Sequence, residues 1–311
     1  MKHSTPIILI LISMFLIAQL LGLYTSYVYK PTTTLELNHT TGELENKTSY
    51  DLPYGLGPPE GIERTTSFVW NIFVALTFAV LLMLLLMKLK AETFLRWWFF
   101  IVVIIGLAMT FNAILLKLPL SQSSAIFAAL LAVPLAYLKV FKRNIIAHNI
   151  SEIMIYPGIA IIFIPLLSLA GVIILLIIIS AYDIYAVWHA GFMQKMARYQ
   201  IEKVRVFSGF FVPYIGKKAR IQLRNARAKG GKKTKVPVNL AILGGGDVIF
   251  PIIFSGVVFH TIGFVPALLI SIGATIALAV LFMFSKKGKY YPAMPFISIG
   301  CLLAFGASFL I

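Results

Sequence analysis

The chain is poor in the residues that would make it a soluble globule or a disulfide scaffold. It has one cysteine, Cys301, within an apolar run and with no partner, so no disulfide framework is available. No Cys/His cluster has metal-ligand spacing, and no HExxH is present, so neither a structural zinc site nor a zinc-dependent intramembrane protease is supported. Charge is scarce, at 12% of residues against roughly a quarter in ordinary globular domains. Acids are scarcest: eleven Asp and Glu face 27 Lys and Arg, a formal net charge of +16. What fills the sequence is apolar, 59% of its 311 residues, and the chain reads as a polytopic membrane protein.

Crossing about 30 Å of hydrocarbon takes about 20 helical residues. Windows of that length give nine spans near 6–28, 67–87, 97–116, 121–140, 149–166, 168–190, 239–259, 262–284 and 290–310. Fusing the fifth and sixth across Pro165 and Ser168–Gly171 would demand about 40 unbroken residues, roughly 60 Å of helix. Nine is therefore preferred to eight. The first span is longer than a signal peptide's apolar core and lacks a clear cleavage site, so it is expected to be a retained helix. The fold class expected is all-α, a nine-span transmembrane bundle. It divides into spans one to six (1–190, with an outer loop 29–66), a basic segment 191–238, and spans seven to nine (239–311).

Basic residues accumulate in cytoplasmic loops. With the N-terminus inside, 23 of the 27 Lys and Arg lie inside, and only Lys30, Lys47, Arg64 and Lys117 lie outside. Loop 193–238, with thirteen basic residues ending in AKGGKKTKVP, is then cytoplasmic and solvated, and the C-terminus is outside. The triplets Asn38-His39-Thr40 and Asn46-Lys47-Thr48 fall in the outer loop, in keeping with that sidedness. The basic residues sit at membrane borders, where anionic headgroups are the nearer partner; the bilayer is expected to take them up and nucleic acid is not.

Of the acids, Glu36, Glu43, Glu45, Asp51, Glu60 and Glu63 lie in the outer loop, and Glu92, Glu152 and Glu202 in or beside inner loops. Asp183 and Asp247 are left as the carboxylates within spans. A charge at depth costs several kcal/mol and normally faces a protein interior or a watered cavity. Counted along helices, both sit roughly 10–12 Å from the cytoplasmic border. Two carboxyls at one level on adjacent spans can share a water and a proton, which is the arrangement of an aspartyl protease dyad.

Tyr182-Asp183 in span six, Gly244-Gly245-Gly246-Asp247 in span seven and Pro292-Ala293-Met294-Pro295 at span nine resemble the YD, GxGD and PAL signatures of presenilin-type intramembrane aspartyl proteases. The resemblance covers spans six to nine closely, and the first five spans only in number. Motif order and an inside loop are similar to presenilins and their archaeal homologues; signal peptide peptidases share the motifs in the opposite orientation. Met294 stands where Leu is typical, Gly245 fills the variable position, and the loop is basic rather than carrying an evident hydrophobic self-cleavage segment.

The resemblance implies an aspartic endopeptidase cutting within transmembrane proteins or peptides, without metal or cofactor; the expectation for partners is that no accessory subunit is required. It also implies lateral substrate entry, with the cut segment extended as a strand beside the site. Asp183 and Asp247 are the expected catalytic pair, acting by general acid–base hydrolysis. Tyr182, Gly244, Gly245, Gly246, Pro292, Ala293, Met294 and Pro295 are expected to bind substrate or line the site.

The glycines either let backbone approach Asp247 or serve a close helix crossing, and the segment is expected to stay helical or open locally. Pro292 and Pro295 favour an extended or kinked lead-in over a plain helix start. Tyr182 fits substrate contact and simple packing equally. His189 and His260 are read as interfacial or hydrogen-bonded rather than as ligands. A proton-coupled secondary transporter using the same carboxylates is the main alternative, but no second GGGD-like segment marks an internal repeat. A scaffold protein would leave two level carboxylates unexplained, and prepilin peptidase chemistry leaves the PAMP stretch unexplained.

Overall fold

The structure, a computed structural model, describes residues 5–37, 44–58, 67–117, 123–142, 144–190, 199–204, 206–215, 238–285 and 291–310. Nine α-helices occur among them: α1 Thr5–Val28, α2 Ser67–Lys88, α3 Glu92–Leu115, α4 Ser124–Val140, α5 Ile145–Phe163, α6 Leu169–Tyr185, α7 Gly245–Thr261, α8 Phe264–Phe284 and α9 Met294–Ala307. Six are long and apolar enough to cross a membrane; α4, α7 and the last helix are shorter apolar helices. The break between the fifth and sixth spans is real. A 3₁₀ turn, Ile164–Leu166, ends α5, and Ser168 caps α6 by accepting from the Gly171 N–H at 3.0 Å.

The seventh span needs correcting. The sequence predicts a helical span near 239–259, but Val238–Gly244 is a strand (β4), and the helix begins only at Gly245. β4 pairs antiparallel with β3, Gly209–Ile215, in the register Gly209↔Gly244 through Ile215↔Val238. Aliphatic and aromatic residues suit both strands, and the glycines that weaken helix at 244–246 let the chain change from strand to helix. Alternate residues of the pair, Phe210, Val212, Ala241 and Leu243, are buried in the core built by the spans. A second hairpin, Thr32–Leu37 with Leu44–Ser49 (β1 and β2), lies in the segment between α1 and α2. Asn46-Lys47-Thr48 falls in β2, whereas Asn38-His39-Thr40 and most of the basic loop 193–238 lie outside the described residues.

One core, with Phe15, Phe210 and Phe254 fully enclosed, joins α1, α5, α7 and α8 to the strands. With lipid as apolar as leucine, close backbone approach does much of the packing. Gly106 of α3 and Gly158 of α5 meet so closely that a Cβ on Gly158 would sit 1.9 Å from the Gly106 carbonyl oxygen.

Candidate active site

Asp183 lies two residues before the end of α6, and its side chain is buried. Its carboxylate is held by the PAMP stretch. Pro292 and Pro295 have no amide hydrogens, so the only N–H groups there belong to Ala293 and Met294, and both donate to Asp183; Met294 N to Asp183 Oδ2 is 3.1 Å. Residues 291–293 are non-helical and α9 starts at Met294 with Pro295 in its first turn, so the prolines both start the helix and isolate these two donors. A helix N-terminus with free amides suits an anion. Below the site, Ser180 Oγ donates to Ser298 Oγ at 2.9 Å, tying α6 to α9.

Asp247 is the third residue of α7 and is half-buried. Gly244, the N-cap in extended conformation, donates its N–H to the Asp247 carboxylate, half of a capping box. Asp183 is near enough for Asp247 to feel its charge. The depth counted along a continuous seventh helix does not hold, because Asp247 follows a strand; the sheet delivers it to the site. Pro251 also removes the N–H that would bond the Asp247 carbonyl, and one residue on, the buried Gln19 of α1 donates to the Val248 carbonyl at 3.0 Å.

The three glycines have three roles. A Cβ on Gly245 would lie 2.8 Å from both Ser208 Oγ and Tyr156 Cε1 and 2.9 Å from the Tyr156 hydroxyl. One on Gly244 would lie 3.2 Å from Asp247 Oδ2. Gly246 is exposed, with nothing nearer than Phe250 at 3.7 Å. So Gly244 admits the carboxylate, Gly245 admits Tyr156, and Gly246 leaves the approach to Asp247 open. Tyr182 is partly exposed beside Asp183. His260 Nε2 donates to the Ser26 carbonyl at 2.8 Å, in keeping with a hydrogen-bonded role; the His189 side chain lies outside the described residues. No group of three or more His, Cys, Asp or Glu that could hold a metal occurs among the described residues.

A family model described as signal-peptide peptidase, presenilin aspartyl protease matches residues 58–311. The chain belongs to that family. It is an aspartyl intramembrane protease. Two solved structures of a presenilin family intramembrane aspartate protease, in C222 and P2 space groups, are similar to it, each at 19% identity and TM-score 0.60. The first match covers 98% of this chain and 99% of that one, the second 97% of each. At that identity they show a shared presenilin-type fold. No curated protein gives a significant match.

The presenilin-type motifs converge, yet the protease's site has neighbours that sequence reasoning missed. Glu152, read as lying in or beside an inner loop, is fully buried in α5 and paired with Lys139 of α4, itself buried although counted among the inner-loop lysines. His148, Asn149 and Tyr156 share that face of α5. The signal was available: a lysine one residue before the end of one span and a glutamate a few residues into the next are opposite charges at matched depth.

Proposed function

We propose that Asp183 and Asp247 are the catalytic dyad of this intramembrane protease, and that it hydrolyses peptide bonds in single-span membrane proteins or remnant peptides. The observation that carries this is the convergence of three motifs on two carboxylates: Ala293 and Met294 donate to Asp183, Gly244 donates to Asp247, and Asp247 senses the charge of Asp183. One carboxylate takes a proton from a bound water as its oxygen attacks the scissile carbonyl carbon. The other, protonated, donates to the carbonyl oxygen, giving a tetrahedral diol. The diol collapses as the C–N bond breaks, and the amine leaves with a proton from the dyad.

A substrate helix keeps its amides in internal hydrogen bonds and must unwind before it is cut. The alternation that turns Phe211 away from β4 turns Leu240 and Ile242 of β4 away from β3, so an extended substrate has a strand edge running into Gly244–Asp247. Tyr182, Gly246 and the PAMP residues line this approach. In this reading the chain comprises 1–190, a basic segment 191–238 that is cytoplasmic apart from β3, whose Phe210 and Val212 are buried in the core, and 239–311, with the N-terminus inside, the C-terminus outside and no accessory subunit required. The test is a reconstituted cleavage assay with a hydroxyl-containing transition-state isostere. The isostere is expected to block cleavage of a model transmembrane substrate competitively; a protein that transports protons and ignores the isostere would be the transporter instead.

A further inference from the structure

We propose that Asn149 is a positioning residue for the active site, acting as a surrogate strand that clamps the outer edge of β3. In an antiparallel pair, alternate residues turn both backbone groups toward the partner and the rest turn both away. Phe211 is of the second kind, and one side chain meets both of its groups. The Phe211 N–H donates to Asn149 Oδ1 at 2.9 Å, and Asn149 Nδ2 donates to the Phe211 carbonyl at 2.7 Å, the two bonds a neighbouring strand would supply. Two residues earlier, His148 Nε2 donates to the Gly209 carbonyl at 2.8 Å, and its ring stacks on Phe211 with centroids 4.7 Å apart. Two residues later, Pro213 has no N–H to offer.

Gly209, Phe211 and Pro213 are successive outward positions, so this edge is closed to another strand. An incoming strand is left the β4 edge.

The clamp is braced from behind. Glu152 Oε1 lies 3.8 Å from His148 Nε2 and is ion-paired with the buried Lys139 of α4. One turn further along α5, Tyr156 packs edge-on against Phe210 and reaches Gly245 in the first turn of α7. Residues 148, 149, 152 and 156 form one helical face, so α5 fixes β3, β3 fixes β4, and β4 leads into Asp247. A buried ion pair is weak evidence for stability, and registry is its best-attested use. Here the registry is that of a docking template.

The clamp stands on its own geometry, while its consequence for turnover rests on the proteolytic reading, and two measurements keep them apart. The first is residue-resolved hydrogen exchange on the full chain; the second is cleavage of a transmembrane substrate in liposomes, normalised by titration with the isostere. Asn149→Ala is expected to speed exchange of the Phe211 amide on the order of tenfold. It is expected to raise KM by a similar factor, with kcat changing much less and titratable sites retained. Asn149→Asp keeps the side-chain acceptor, so the Phe211 amide stays protected and KM rises less.

Unchanged Phe211 exchange in Asn149→Ala overturns the clamp. Faster exchange with unchanged KM, or kcat and KM worsening together as titratable sites disappear, overturns the positioning role. If Asn149→Ala does not accumulate as folded protein, Asn149→Asp decides, and an unaltered KM there sinks the proposal. Should the parent protein cleave nothing, the exchange measurement still judges the clamp, and only the proteolytic reading falls.

Discussion

Gly245 and Gly246 are adjacent, identical in type, and expected to respond oppositely to one added methyl group. At Gly245 the new Cβ would lie 2.8 Å from Tyr156 Cε1 and Ser208 Oγ, so reaching ordinary contact at 3.4 Å requires a displacement of 3.4 − 2.8 = 0.6 Å. Ser208 can rotate its hydroxyl aside. Tyr156 cannot yield so easily, being buried with its ring against Phe210. The first turn of α7 therefore moves, at about 1–3 kcal/mol of overpacking, and carries Asp247, two residues on, with it. Because a misplacement of about 1 Å at a reacting centre can cost on the order of a hundredfold in rate, a shift somewhat over half that size is expected to lower kcat by roughly tenfold or more. At Gly246 the nearest atom is 3.7 Å away, so alanine fits and gains up to about 1 kcal/mol of helix preference. The assay is paired: thermal inactivation in detergent and kcat on a model transmembrane substrate. Gly245→Ala should be the less stable and the slower in turnover; Gly246→Ala should equal or exceed the parent in stability and show any defect in KM. Equal tolerance of both changes would refute the assignment of Gly245 to backbone packing and of Gly246 to the open approach.

The buried pair offers a second check: Lys139→Met alone strands the Glu152 charge and is expected to cost about 3–5 kcal/mol, whereas Lys139→Met with Glu152→Met should recover most of the loss, as read by thermal unfolding. Ala293→Pro removes one of the two amides on Asp183 at a backbone φ of −84°, near proline's own, so the protein should fold but cleave on the order of tenfold more slowly. Met294→Leu is close to volume-conserving at a buried site and should change stability by less than about 1.5 kcal/mol, with activity retained. Because the dyad works with one carboxyl protonated and one ionised, kcat/KM should trace a bell against pH; a flat profile would contradict shared acid–base work.

The count of nine apolar helices among the described residues and the two acids are legible because they rest on strong, local signals: 20-residue apolar windows and carboxylates where charge is costly. The Ala293 and Met294 amides were half legible, since two prolines bracketing two residues mark a place where helix cannot run. The sheet was not. Val238–Gly244 is apolar enough to continue a span, and its pairing with β3 joins residues on either side of the long basic segment, a non-local contact that no window over one stretch can contain. The α5 face was missed for a related reason. Asn149 looks like an ordinary border residue, and its meaning lies in a strand 62 positions away. Glu152 and Lys139 each lie close to a loop when taken singly, and only the two together, on α4 and α5, show the ion pair.

The central claim is tested most directly by changing each aspartate alone to asparagine, which keeps size and most hydrogen bonds while removing the carboxyl chemistry. Asp183→Asn and Asp247→Asn, purified and reconstituted separately, should each remain folded and each lose cleavage of a model transmembrane substrate to background. Near-normal cleavage by either single variant would contradict the dyad.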